Sequence, residues 1–390
     1  MVSSTWRRGR RYLEPESGRS SGNHHEALGD LIMQLESSVM GWASPVPEIV
    51  QLFAFMIGAA VGSFLNVCIY RIPIEGLSVH SPRGSFCPSC KTSLRWFENI
   101  PILGWVFLRG KCRTCAESIS VRYPLVETLT ALLFLAAIKT IGVETVLLDP
   151  MGNGALLLLG LWVWISGVIV VSGIDFDHRI IPDLFSIPMT CLVLALSPFN
   201  TFLDAAPLPV ASEGSRWFSA VVAALVLGYA FKRWIPNWSG ERRSYSESIL
   251  AFVVGFQVGD AIGFLIAESS PWTVLVESRE VQALLGALVG AGIIWGIGCV
   301  GQWIFRKPAM GFGDVKWMGM LGATVGPIPV LVAFFVACLL GSVVGIYLRI
   351  RRGQQYLPFG PFLSAGALLW LLGRPQLEVL WNAYVGLFQS

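Results

Sequence analysis

The chain has 390 residues, of which 54% are hydrophobic and only 14% are charged. Soluble domains carry about 25% charged residues, so the composition excludes an ordinary soluble globular protein. The net charge of +3 says little by itself, and no nucleic-acid partner is expected. Apolar runs of about 20 residues recur along the chain, and each is long enough to cross a bilayer as a helix.

The first part of the chain divides into a tail, a span and a polar loop. Residues 1–45 are polar and predict a disordered N-terminal tail, and residues 46–70 form the first predicted span. The segment 71–122 contains eight Lys or Arg residues and three acids. Because an excess of Lys and Arg is typical of cytoplasmic loops, we expect this segment to face the cytoplasm.

The rest of the chain predicts a series of further spans. Candidate spans lie at 123–142, 155–174, 182–198, 216–235, 249–267, 281–305, 314–327, 329–349 and 358–373. They group into spans at 123–198, an insertion with an extra span pair at 199–280, spans at 281–373 and a C-terminal tail at 374–390. The sequence therefore predicts an all-α polytopic helical bundle of about eight to ten spans in the lipid bilayer.

Four of the eight cysteines lie in the polar loop, as two C-x2-C pairs. Cys87 pairs with Cys90 and Cys112 with Cys115, and 21 residues separate the pairs. This spacing is typical of a structural zinc site with four thiolate ligands, and the cytoplasm keeps such thiols reduced. In so small a loop, a bound metal replaces the missing hydrophobic core. We therefore predict a small cytoplasmic Zn²⁺ module with these four ligands.

Two acidic motifs stand at ends of predicted spans on the same side of the membrane. Asp175 ends the third span, and Gly311, Gly313 and Asp314 open a later one. Ionisable groups at membrane depth indicate function by default. Two carboxylates in close range share one proton, so one can take a proton from water while the other polarises a carbonyl. Glycines beside a carboxylate let an extended peptide backbone approach.

A structural interpretation of the acidic residues stays open. A Gly-x-Gly-Asp turn can also be a simple helix start, with its Asp as the cap. Asp177 and Asp183 can likewise cap helices and pair with Arg179 or Lys316. For Asp177 and Asp183 we favour this structural role.

These residues resemble the type IV prepilin peptidases, which are membrane aspartic proteases of the Gly-x-Gly-Asp type. The resemblance is carried by Asp175 with Pro182 and Asp183, Gly311–Lys316, Gly62–Pro73, Glu98–Pro101, Arg122–Glu127 and Pro358–Phe362. It implies that Asp175 and Asp314 are the catalytic pair. The supporting residues of the peptidase site would be Gly311, Gly313, Lys316 and Asp183.

The resemblance also implies a substrate, a place in the cell and a second activity. The expected enzyme lies in the bacterial inner membrane and cleaves the leader of prepilins or pseudopilins at the cytoplasmic face. It would then methylate the new amino terminus with S-adenosylmethionine. A sulfonium cation favours nearby carboxylates or aromatic faces, so the candidate cofactor-binding residues are Glu98, Asn99 and Glu127, with Trp96 and Trp105 beside them.

Three alternatives remain at this stage. The chain could be a peptidase without methyltransferase activity, since no Rossmann-type methyltransferase unit is visible in it. It could be an ion- or proton-coupled transporter with Asp175, Asp260 and Asp314 along the pathway. It could also be a presenilin-like intramembrane protease, which shares Gly-x-Gly-Asp but lacks the cysteine loop.

Overall fold

The computed structural model describes most of the predicted spans. The described residues are 47–74, 79, 85–87, 89–148, 153–197, 200, 202–203, 278–307, 310–352 and 357–389. The predicted tail at 1–45, the extra spans at 216–235 and 249–267, and Asp260 lie outside the described residues.

Nearly all of the described chain outside the polar loop is helical. The elements are α1 (Glu48–Arg71), a 3-10 turn (Trp96–Asn99), α2 (Leu103–Phe107), α3 (Arg122–Ile141), α4 (Val143–Leu148), α5 (Asn153–His178), α6 (Asp183–Ala195), α7 (Arg279–Phe305), α8 (Phe312–Val325), α9 (Pro327–Arg352) and α10 (Gly360–Gln389). Among the described helices, five are long and apolar enough to cross a membrane, namely α1, α3, α5, α7 and α9. The prediction of an all-α membrane bundle is confirmed.

Helix α6 is shorter than the span predicted at 182–198, whereas α8 has the length predicted for the span at 314–327, shifted by two residues. Helices α6 and α8 have 13 and 14 residues, or about 20 Å at 1.5 Å per residue, against a bilayer core of about 30 Å. Gly326 ends α8 with φ +97°, a conformation that favours glycine, and α9 begins at the next residue. Helix α10 continues to Gln389, beyond the residue 373 at which we expected the span to end.

Glycines bring two pairs of helices into backbone contact. A Cβ at Gly58 of α1 would lie 2.6 Å from the Ala131 Cα of α3, and one at Gly62 would lie 2.7 Å from the Glu127 Cα. Likewise a Cβ at Gly286 of α7 would overlap the carbonyl of Gly322 on α8. Small residues at these spacings allow helices in lipid to gain dispersion contacts that larger side chains would prevent.

Buried tryptophans connect α8 to its neighbours. Trp164 of α5 is 2% exposed and its Nε1 lies 3.1 Å from the Met320 Sδ of α8. Trp317 of α8 is fully buried and donates a hydrogen bond of 2.9 Å to the Ser364 Oγ of α10. A buried indole N–H needs a partner, so these contacts fix the rotation of α8 within the bundle.

The close approach of α7 and α8 yields a stability prediction. Gly286→Ala should lower the Tm in detergent, because the added methyl group would overlap the Gly322 carbonyl. Overpacking of this kind costs about 1–3 kcal/mol. Gly296→Ala on the same helix is the matched control, since a Cβ there meets nothing within 4 Å. An equal Tm for the two variants would contradict the packing argument.

Candidate active site and metal centre

Asp175 lies near the end of α5 and is 5% exposed. The backbone N–H of Gly360, the first residue of α10, donates a hydrogen bond of 2.9 Å to Asp175 Oδ2. A Cβ at Gly360 would lie 2.7 Å from that same oxygen. The side chain of Asp175 is therefore oriented by a backbone donor that can approach only because residue 360 has no side chain.

Asp314 lies in the first turn of α8, where Gly311 is the N-cap residue. A Cβ at Gly311 would lie 3.3 Å from Asp314 Oδ2, so a glycine here leaves the approach to this carboxylate open. A Cβ at Gly313 would lie 3.0 Å from the Cβ of Ile181, in the link between α5 and α6. Both glycines of the motif thus contribute to the surroundings of the acid.

The two predicted catalytic acids lie together at one end of the bundle. Ile181, which contacts Gly313 beside Asp314, also has its Cδ1 3.3 Å from the Cβ position at Gly360 beside Asp175. Asp175 and Asp314 are near enough for their charges to interact. Two carboxylates in this arrangement can hold one proton between them, which is what hydrolysis by a carboxylate pair requires.

The neighbouring acids are paired with cations. Lys316 Nζ lies 2.9 and 2.8 Å from the two carboxylate oxygens of Asp183, which joins α8 to the start of α6. Asp177 forms an ion pair with Arg122 of α3 and not with Arg179. Arg122 also donates a hydrogen bond of 3.2 Å to the Gly173 carbonyl of α5. The structural role expected for Asp177 and Asp183 agrees with these pairs, although the partner of Asp177 differs from the expected one.

Gly360 and Arg122 have positions near the carboxylate pair that the sequence analysis did not assign to the site. Gly360 acts through a backbone N–H, which no residue pattern reveals, and it is 185 residues away from Asp175. Arg122 of α3 is connected to the site through its ion pair with Asp177 of α5. The motifs around Gly360 and Arg122 were visible in the sequence, but their contacts with α5 were not.

The polar loop folds into two equivalent knuckles. Backbone bridges join Phe86 to Ser93 and Lys111 to Ser118, each closing a hairpin that contains one C-x2-C pair. Lys91 and Ala116 occupy the same place in the two hairpins, with φ of 57° and 56°. The chain thus turns back in the same way at both cysteine pairs.

The four predicted metal ligands form one cluster. Their sulfur atoms all lie within 4.8 Å of one another. The Sγ atoms of Cys87 and Cys115 are 3.8 Å apart, and those of Cys90 and Cys112 are 3.9 Å apart. A tetrahedral metal with bonds of about 2.3 Å to sulfur places its ligands about 3.8 Å apart. The donor set and its spacing therefore fit a metal ion.

The surroundings of Cys90 favour its ionised form. Hydrogen bonds from the side chain and the backbone of Thr92 lower the pKa of the Cys90 thiol to about 6. The thiolate is the form that binds metals. By lowering the pKa of Cys90, Thr92 therefore favours metal binding near neutral pH.

A cavity of about 340 Å³ lies between α1, α3 and the polar loop. The three predicted cofactor-binding residues, Glu98, Asn99 and Glu127, all line it, as do Cys87 and Cys112. Trp105 also lines the cavity. Trp96, in contrast, is 81% exposed and does not belong to its wall.

Two acids of this cavity, Glu98 and Glu127, are buried and held in place. Glu98 accepts a hydrogen bond of 2.8 Å from the Arg95 backbone, and its Oε1 lies 2.7 Å from the Arg113 Nε. Glu127 Oε2 accepts from the Ile102 backbone at 2.6 Å. Buried carboxylates with fixed orientation can select a cationic or hydrogen-bonding ligand at little further entropic cost.

Apolar helices of spanning length, with two neighbouring carboxylates at one end of the bundle, define a multi-pass membrane protein with a paired-aspartate site. Two family models match the chain, the Bacterial Peptidase A24 N-terminal domain over residues 56–141 and the Type IV leader peptidase family over residues 162–346. The chain belongs to the type IV leader peptidase family, and it is a membrane-embedded peptidase.

Proteins from several bacteria are similar to it over most of their length. A prepilin leader peptidase/N-methyltransferase of Myxococcus xanthus is 31% identical over 82% of this chain and 68% of its own. One from Stutzerimonas stutzeri is 30% identical over 82% and 90%. The type 4 prepilin-like proteins leader peptide-processing enzyme of Escherichia coli is 29% identical over 83% and 93%. No solved structure gives a significant match.

The contact between Gly360 and Asp175 predicts a defect in catalysis without loss of the fold. In Gly360→Ala the methyl group displaces a carboxylate, which is a movable side-chain end and not a backbone atom. Misplacing a reacting group by about 1 Å can cost about 100-fold in rate, so kcat for leader cleavage should fall strongly while the Tm stays unchanged.

Gly373→Ala is the matched control for this substitution. It lies on the same helix, and a Cβ at residue 373 meets nothing within 4 Å. Its kcat should equal that of the wild type. Full activity of Gly360→Ala would show that the hydrogen bond to Asp175 has no role in positioning the acid.

Proposed function

We propose that this chain cleaves the leader of type IV prepilins or pseudopilins with Asp175 and Asp314 as its catalytic pair. The observation that carries the proposal is the meeting of these two acids where α5 ends and α8 begins. Membership of the leader peptidase family supplies the reaction class, and the names of the relatives supply the substrate.

The paired carboxylates account for hydrolysis of a peptide bond. The ionised member takes a proton from a water molecule, whose oxygen then attacks the scissile carbonyl carbon. The protonated member donates its proton to the carbonyl oxygen. Return of a proton to the amide nitrogen breaks the C–N bond and releases the new amino terminus. The reaction consumes one water molecule and restores the shared proton of the pair.

The supporting residues act on the position of Asp314. Gly311 and Gly313 have no Cβ, so an extended substrate backbone can pass close to the acid. Lys316 is held by Asp183, and its Nζ also lies 5.0 Å from the centre of the Phe312 ring. These contacts fix the first turn of α8, which carries the carboxylate.

We place the acids at the cytoplasmic face of the bacterial inner membrane. Helix α1 ends at Arg71 and α3 begins at Arg122, while Arg306 follows α7 and α9 ends at Arg352. Arg122 contacts Asp177 at the end of α5, and Gly313 at the start of α8 contacts Ile181, so these cations share the end of the bundle that carries Asp175. Clustered Lys and Arg mark the cytoplasmic side.

Substitution of either acid tests this proposal. Asp175→Asn and Asp314→Asn should each abolish cleavage of a purified prepilin, because one carboxylate cannot act as acid and base together. Asp177→Asn is the control; it should retain most activity, since its partner is Arg122 and not the other acids. The product is identified by N-terminal sequencing, and substantial cleavage by either of the first two variants would refute the mechanism.

We further propose that the cysteine cluster holds one structural Zn²⁺ ion. Four thiolates in tetrahedral spacing fill every position of such a metal and leave none for a substrate. The two hairpins contain few hydrophobic side chains between them, so the metal joins them into one unit.

Metal analysis checks this part of the proposal. The purified wild type should contain about one zinc per chain, and Cys87→Ser should lose it, because a four-thiolate structural site needs all four ligands. Hydrogen exchange should then rise in the polar loop but not in the spans. Cys299→Ser, an exposed cysteine on α7, should retain the metal. Disulfide bonds between the clustered cysteines would overturn the assignment.

The cavity beside the metal cluster is the site we assign to methyl transfer. When bound, S-adenosylmethionine supplies a methyl group on a sulfonium sulfur. Glu127 places negative charge in the wall for this cation, Glu98 stands in the same wall as the ion-pair partner of Arg113, and Trp105 offers an aromatic face. A carboxylate in the same wall can take the proton that the substrate ammonium must lose before its nitrogen accepts the methyl group.

The two activities should separate by mutation. Asp314→Asn should stop cleavage yet still methylate a pilin peptide that has already been cleaved. Glu98→Gln keeps the volume of the side chain but removes its charge, so it should weaken methylation and binding of the donor while cleavage continues. Transfer of labelled methyl groups and donor binding are the measurements. If the wild type transfers no labelled methyl group, the chain is a peptidase without methyltransferase activity.

A further inference from the structure

The polar loop carries large apolar side chains on its outer surface. Trp96 is 81% exposed and Phe107 is 73% exposed. Phe97, Leu103 and Val106 are exposed as well. We call these five side chains, Trp96, Phe97, Leu103, Val106 and Phe107, the apolar face. Large apolar side chains exposed together on one short segment indicate contact with something other than water.

The backbone beneath the apolar face is well fixed. A Cβ at Gly104 would overlap the carbonyl of Glu98, so α2 packs directly on the 3-10 turn. Trp105 turns inward and donates a hydrogen bond of 3.0 Å to the Ile119 carbonyl. The outward direction of residues 103, 106 and 107 follows from helical periodicity around this inner contact.

The apolar face lies beside a membrane span. The Ile102 N–H donates to Glu127 of α3 at 2.6 Å. Glu127 is five residues after Arg122, hence about 7.5 Å along the helix from its start. Leu125 and Leu129, close to this level, are 62% and 50% exposed, as expected for side chains that face lipid. The apolar face is therefore attached to α3 near the level at which this helix exposes apolar side chains.

Charged residues flank the apolar face. Arg95 and Arg109 stand immediately before and shortly after it in the chain, and both are exposed. Tryptophan with neighbouring arginines is the composition typical of the zone between headgroups and acyl chains, where cations meet lipid phosphates.

We propose that the apolar face is an interfacial anchor that inserts into the headgroup–acyl boundary of the bilayer. The 3-10 turn and α2 would lie in the membrane surface, with Arg95 and Arg109 at the level of the phosphates. Glu98 and Trp105 belong to the same segment and line the cavity. Insertion therefore holds one wall of the cavity at the membrane surface, where a substrate polypeptide leaves the bilayer.

Photo-crosslinking in a defined bilayer tests the anchor. The full chain is placed in nanodiscs of phosphatidylcholine with phosphatidylglycerol, with benzoylphenylalanine in place of Trp96 or Phe107. We expect lipid adducts at both positions by mass spectrometry. Lys91, at the turn of the first knuckle, is exposed outside the apolar face and is the control position. It should give none.

Two outcomes would overturn the anchor. One is equal or absent lipid labelling at the three positions. The other is replacement of the lipid adducts by peptide adducts when a prepilin is added, which would make the face a substrate contact. As a second measurement, Trp96→Ser with Phe107→Ser should lose the bilayer-dependent hydrogen-exchange protection of residues 96–108, with unchanged helix content by circular dichroism.

Discussion

The hydrogen bond from the Gly360 backbone to Asp175 is the contact on which the proposed peptidase site depends. It joins the end of α5 to the start of α10, and the absence of a side chain at Gly360 makes it possible. Ile181 contacts the same glycine and also Gly313, next to Asp314. Both acids are therefore positioned by one small group of backbone and side-chain contacts at the bundle end.

Close packing in the rest of the bundle holds the helices that carry the two acids in position. Helices α7 and α8 are in backbone contact through Gly286 and Gly322, and Trp317 fixes the rotation of α8. In lipid the hydrophobic effect gives no preference for helix–helix contact over helix–lipid contact. Close packing and buried hydrogen bonds are then what keep Asp314 in register with Asp175.

Local patterns in the sequence were enough to predict several of these features. The spacing of the four cysteines predicted a cluster because each C-x2-C pair is a local turn, and their sulfur atoms are indeed together. Asp175 and Asp314 were expected to meet because each stands at the end of an apolar run on the same side. Glu98, Asn99 and Glu127 were expected to lie together, and all three line the cavity.

What the sequence did not reveal depends on distant contacts. No local signal pairs Asp177 with Arg122, since charge patterns offer Arg179 as an equal candidate. The length of α6 was overestimated because the apolar run continues past Ala195, where the helix ends. The outward direction of Phe107 also depends on which side of α2 packs on Glu98, and hydrophobicity alone would have placed this side chain in a core.

The cavity and the acid pair belong to different parts of the chain. The cavity is lined by residues between Ser63 and Glu127, inside the region 56–141 that one family model matches. Asp175 and Asp314 lie inside the region 162–346 that the other matches. Arg122, which contacts Asp177, links the two regions. The first region can therefore change in evolution as a separate unit. The residues that surround the acids in the second region can stay the same while it does so.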